Sequence, residues 1–139
     1  MLKITKIYNI EMAHRLFNYD GACCNIHGHS YKLEVTIGGV LDKQNGFLLD
    51  FKDLKNIIMA VTAPLDHALI ISEDDPLISE IKNLMLKIVI VDYIPTAENI
   101  VTNLWQLFRL GLRNHDNLNW LNIRLWETSS AYAEYGASI

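Results

Sequence analysis

The chain is short of almost everything that marks a secreted, membrane-bound or multidomain protein. Its 139 residues include two cysteines, and these are neighbours, Cys23 and Cys24. Adjacent thiols make a poor disulfide framework and fit a reducing, cytoplasmic setting. There are three prolines and seven glycines, with no Pro/Gly-rich linker, repeat or low-complexity tract, so residues 1–139 are expected to form a single domain. No charged N-terminal region runs into a long apolar stretch, and no signal peptide is evident. The most apolar segment, Leu84 to Ile94, is broken by Lys87 and Asp92 and is too short to span a bilayer. Positive charge is scarce as well. Twelve Lys and Arg against sixteen Asp and Glu leave a net charge of -4, which argues against nucleic acid as the main partner and for a small substrate.

What the chain does have is apolar content and a concentration of imidazole. Half of its residues are hydrophobic, enough to bury a core without staples. The segment Cys23-Cys24-Asn25-Ile26-His27-Gly28-His29 precedes a strand, Tyr31 to Ile37, in which apolar and polar residues alternate. Side chains two apart on a strand point the same way, so His27 and His29 share its apolar face if the strand reaches back to them. His14 ends another extended stretch, Ile4 to His14, and pairing the two strands brings it to the other two imidazoles. Three imidazoles suit Zn2+ and leave a fourth position open, the mark of catalytic zinc. Cys23 or Cys24 is then available as a base or nucleophile rather than as a closing ligand. A cupin-like alternative, with Glu34 as a further ligand, fails on parity: Glu34 is an odd number of residues from His29 and faces away.

Downstream, Asp50 caps a helix carrying Phe51, Leu54, Ile58 and Val61, which Pro64 stops. Ile88 to Val91 reads as a short strand or an apolar connector. Thr96 caps a second helix with Ile100, Leu104, Leu107 and Phe108 on one face and Gly111 near its end. Two strands close the chain, one with Leu121, Ile123, Leu125 and Glu127 on one face, the other alternating through Ala131, Ala133 and Tyr135. The order strand, strand, helix, helix, strand, strand predicts an α+β fold, a four-stranded antiparallel sheet with both helices on one face. Glu127 ends a core-facing row, where its carboxylate either turns to solvent or accepts two parallel hydrogen bonds from the N–H pair of a pterin or guanine ring. Leu65-Asp66-His67 falls in a loop, where the carboxylate either orients the imidazole as a general acid or base or is simply solvated beside it.

Taken together, Ala13-His14-Arg15-Leu16, Cys23 three residues before His27-Gly28-His29, Gly46 to Phe51, Leu65-Asp66-His67, Pro95 to Asn99 and Glu127-Thr128 resemble the 6-pyruvoyltetrahydropterin and 6-carboxytetrahydropterin synthase family, of the tunnelling fold. The resemblance spans nearly the whole chain. It implies a zinc lyase acting on 7,8-dihydroneopterin triphosphate, with His14, His27 and His29 as ligands and Glu127 and Thr96 on the pterin. It further implies Cys23 as the base that removes a substrate proton, Asp66 and His67 as a proton-transfer pair, and a homohexamer whose sheets join into a barrel. The three-residue Cys23–His27 interval resembles the carboxytetrahydropterin branch, which releases triphosphate and acetaldehyde in queuosine biosynthesis. Tyr31-Lys32 resembles the pyruvoyl branch, which eliminates triphosphate alone. A non-catalytic zinc- and pterin-binding protein is the remaining alternative. Ala68 to Ile71 departs from the family, which often places Asn after the Asp-His pair.

Overall fold

The computed structural model of the chain describes residues 1–139 throughout. Its spine is an antiparallel pair, β1 (Leu2–His14) and β2 (His27–Gly39), registered from Leu2 opposite Gly39 to His14 opposite His27. The intervening loop holds a single 3-10 turn, Ala22–Cys24. There follow α1 (Phe51–Thr62), β3 (Ala68–Ser72), the one-turn α2 (Ile78–Ile81), β4 (Ile88–Val91), α3 (Ala97–Gly111), β5 (Leu118–Thr128) and β6 (Ala131–Ser138). All six strands form one sheet in the order β4-β3-β1-β2-β5-β6.

The α+β class holds, and the strand count is corrected. The sheet has six strands rather than four and is mixed, because β3 runs parallel to β1 and β4 parallel to β3. Ala68–Ser72 escaped the pattern reading for a physical reason. Parallel strands are covered on both faces and show no alternation, and here all five residues are buried or half-buried. Ile88–Val91 is the strand of the two options its sequence left open.

Local chemistry sets the helix starts as the sequence suggests. The Asp50 carboxylate accepts from the Lys52 N–H at 2.7 Å, and Thr96 Oγ1 accepts from the Asn99 N–H at 3.3 Å. Leu54 and Ile58 of α1 and Ile100, Leu104, Trp105 and Phe108 of α3 cover the even-numbered face of β1 and the odd-numbered faces of β2 and β5, forming one core. Trp105 is locked there by its Nε1–H, which donates to the Leu121 carbonyl at 3.0 Å. Trp120 and Trp126 lie on the other face, beneath Lys3 and Lys32 respectively. Glu34 is on that face too, accepting from Trp126 Nε1–H at 2.9 Å, so it is remote from the imidazoles in orientation, as its parity requires. No helix is long and apolar enough to cross a membrane.

Capping gives a separable stability effect. Thr96→Ala is expected to cost about 1 kcal/mol, read as a lowered denaturant midpoint at unchanged slope.

Candidate metal centre

Three imidazoles meet where β1 ends and β2 begins. His14 faces His27 in register, and His29 lies two residues along β2, opposite Met12. Ring centroids are 4.5 Å apart for His14 and His27, 5.3 Å for His14 and His29, and 5.1 Å for His27 and His29. One ligand atom from each, together with a Glu127 oxygen, lies within 4.8 Å of all the others.

The hydrogen bonds settle which nitrogens face inward. His14 Nδ1–H donates to the Pro95 carbonyl at 2.7 Å and His27 Nδ1–H to the Asn25 carbonyl at 2.9 Å. In the neutral rings this turns both Nε2 lone pairs toward each other, at 3.0 Å. Two lone pairs at that distance repel unless a proton or a cation lies between them. Tetrahedral zinc with Zn–N of about 2.0–2.1 Å would hold its nitrogens roughly 3.3 Å apart, close to what the chain provides. His29 Nε2 is buried with no hydrogen-bond partner. Glu127 Oε1 approaches it to 3.2 Å, but not along a hydrogen-bonding line. Burial lowers the His14 pKa, outweighing the Pro95 carbonyl that favours the charged ring, so the ring is kept in the neutral form that a metal needs. An orphaned buried nitrogen, opposed lone pairs and an anionic oxygen together fit a divalent cation.

Beside the cluster is a cleft of about 460 Å3, lined by His14, Tyr19, Cys23, Thr96, Glu127 and Tyr132 among others. Cys23 is held there by its own loop, since its carbonyl accepts from the Leu16 N–H at 2.9 Å. The loop is anchored beside His14 by Arg15, whose Nε–H donates to Asp75 at 2.7 Å; that carboxylate is fully buried. Cys24 is half-buried and does not line the cleft. Thr96 Oγ1 accepts the helix-cap bond through one lone pair, which leaves its O–H available to donate.

Asp66 and His67 are outside the Cys23 cleft. His67 lines a second cleft of about 540 Å3 with Glu11, Gly28, His29, Ser30 and Lys87 among others, which borders the cluster at His29 but shares no lining residue with the first. The pair itself is made: His67 Nδ1 is 2.9 Å from Asp66 Oδ2, and Asp66 Oδ1 accepts from the Glu11 N–H at 2.9 Å. His67 has φ 59, a left-handed conformation costly for a residue with a Cβ, and its N–H is tied to the Glu11 carbonyl at 2.6 Å. The Glu11 N–H, and next the His67 side chain, pull the Asp66 pKa below its usual 3.8. A depressed carboxylate stabilises the fold above its unfolded value and loses that contribution as pH falls through the folded one. An NMR titration is therefore expected to place the Asp66 midpoint below 3.8, and Glu11→Pro, which deletes the donor, is expected to move it upward.

Pattern reading missed the Pro95 and Asn25 carbonyls, because backbone acceptors carry no side-chain signature. It also missed Asp75, whose partner Arg15 is 60 residues away, and Tyr31, fully buried against His14 and His29.

The chain has relatives. The sequence pattern of the family described as 6-pyruvoyl tetrahydropterin synthase matches residues 3–138. A Haemophilus influenzae protein named 6-carboxy-5,6,7,8-tetrahydropterin synthase is 38% identical over 143 aligned positions, covering 97% of this chain and 99% of that protein. An Aquifex aeolicus protein of the same name is 30% identical, covering 96% of each. Among solved structures, a 6-pyruvoyl tetrahydropterin synthase from Plasmodium falciparum superposes with a TM-score of 0.78 at 16% identity, covering 99% of this chain and 98% of that one. At that identity the likeness concerns the fold.

Proposed function

Since the chain belongs to the 6-pyruvoyl tetrahydropterin synthase family, and so is an enzyme of the lyase class, we propose that it is a zinc-dependent 6-carboxy-5,6,7,8-tetrahydropterin synthase. In this reading it converts 7,8-dihydroneopterin triphosphate with release of triphosphate and acetaldehyde, a step toward queuosine. The observation that carries it is the imidazole cluster opening, through Glu127, onto the cleft that holds Cys23 and Thr96. The names of the Haemophilus and Aquifex relatives support the carboxy product. Tyr31-Lys32 favours the pyruvoyl product as the second reading.

His14, His27 and His29 hold the metal. When bound, zinc supplies a Lewis acid that polarises the substrate's side-chain oxygens and lowers the cost of removing a neighbouring proton. The Glu127 carboxylate accepts the paired N–H donors of the pterin ring, and Thr96 donates its O–H to the same ring. Cys23 Sγ takes the proton from the side-chain carbon. The Asp66–His67 pair returns or accepts a proton at His67, its tautomer set by the carboxylate at Nδ1. One chain does not place that pair in the Cys23 cleft, which supports an oligomer in which a neighbouring copy completes each site. The sheet ends in the edge strands β4 and β6, and these offer the pairing surface for a barrel.

Chelation tests the metal requirement. Stripped protein should lose turnover of the triphosphate substrate and regain it with one zinc per chain; undiminished turnover after complete stripping contradicts the proposal.

A further inference from the structure

Glu127 belongs to two places at once. Its carboxylate is within 4.8 Å of all three inward imidazole nitrogens, and it also lines the cleft with Thr96 and Tyr132. The backbone explains how one side chain can serve both. Trp126 pairs with Tyr132 and Thr128 with Ala131, so Glu127 is the extra residue of a bulge and has no partner on β6. The pairing of β5 with β2 runs from Gly39 only as far as Lys32 opposite Trp126, so Glu127 has no partner there either. Bulges re-aim side chains and release them from the ladder. The side chain is about a quarter exposed, and Oε1 lies 3.2 Å from His29 Nε2 without forming a hydrogen bond. A carboxylate stationed off-line against a buried, partnerless nitrogen is placed as two ligands of one cation are placed, not as an ion pair.

Resting on the proposed pterin reading, we infer that Glu127 exchanges partners. In the substrate-free enzyme it is the fourth ligand of the metal, closing the site; the arriving ring draws the carboxylate away with its two N–H donors. The coordination position so vacated passes to water or to a side-chain oxygen of the substrate. The exchange is of ligands only, and the ring nitrogens keep their protons. Its consequence is that coordination opens when the correct ring is seated, and the metal does not present an open position to other oxygen ligands beforehand. By linkage, metal and ring compete for one carboxylate, and each lowers the other's affinity by the same factor.

The test uses cobalt(II)-loaded protein, whose visible absorption reports the ligand set, and 6-methylpterin, which has the ring donors but no side-chain hydroxyl. Ring binding is followed separately by fluorescence. In the wild-type protein 6-methylpterin should shift the cobalt bands. Glu127→Gln without any pterin should already show the shifted spectrum, and should hold cobalt at least about tenfold more weakly in competition with a chelating dye. Bands and affinity unchanged in Glu127→Gln overturn the exchange. So does ring binding that leaves the wild-type bands unmoved, or a shift to a spectrum the variant never shows, which would mean that the ring itself ligates. If the ring binds neither protein, the pterin reading fails and the exchange fails with it.

Discussion

Replacing Cys23 by alanine is expected to lower turnover of dihydroneopterin triphosphate by roughly 10²–10⁴-fold, the range for removing a positioned general base, while zinc content and ring binding stay intact. Cys23 lines the cleft with His14, Thr96 and Glu127, and its backbone is clasped by Leu16. Loss of its sulfur leaves the metal ligands, the helix cap and the carboxylate in place, so the defect should fall on kcat rather than KM. Cys24 is the internal control. It lies on the same 3-10 turn and outside the cleft, and Cys24→Ala should leave turnover within about a factor of two. Equal losses in the two variants would show that the loop, and not the Cys23 thiol, is what matters.

The second large effect is expected from His29→Ala. Removing a direct ligand should weaken metal binding by more than about 10²-fold, beyond the usual cost of losing an outer-shell partner, and turnover should fall with metal content. The choice of histidine matters. His29 Nε2 makes no hydrogen bond, so its loss removes a ligand without orphaning a protein group, and thermal stability of the metal-free protein should change little. His14 is different. It is 2% exposed and bonded to Pro95, so His14→Ala should lower stability as well as metal binding. Metal analysis beside thermal denaturation separates the two. Stoichiometric zinc retained by His29→Ala would remove that residue from the ligand set.

The imidazole cluster was legible because strand parity is a strong rule: His27 and His29 are two apart, and His14 closes an alternating strand that pairs with theirs in register. Both long helices were legible through Asp50, Thr96 and their apolar stripes, although Phe51 and Leu107, read into those stripes, are exposed. The parallel strand β3 was not, since Ala68–Ser72 carries no alternation, and β4 was only half legible, since four residues, Ile88–Val91, fit a strand or a connector equally well. The sequence readings of Glu127 offered solvent or a ring; the structure adds a third neighbour, His29, which no single-strand pattern reveals because it depends on a bulge across from β6. The location of Asp66 and His67 was equally hidden. Their turn is positioned by backbone bonds to Glu11 of β1, and contacts 55 residues apart leave no local trace.

Product identity decides which reaction the enzyme performs. Zinc-loaded protein is incubated with 7,8-dihydroneopterin triphosphate, the pterin products are identified by mass spectrometry, and acetaldehyde is assayed separately. The expected products are 6-carboxytetrahydropterin and an equal amount of acetaldehyde. Pyruvoyltetrahydropterin without acetaldehyde would contradict the carboxy assignment, and an unchanged substrate with zinc fully bound would contradict catalysis on this pterin altogether.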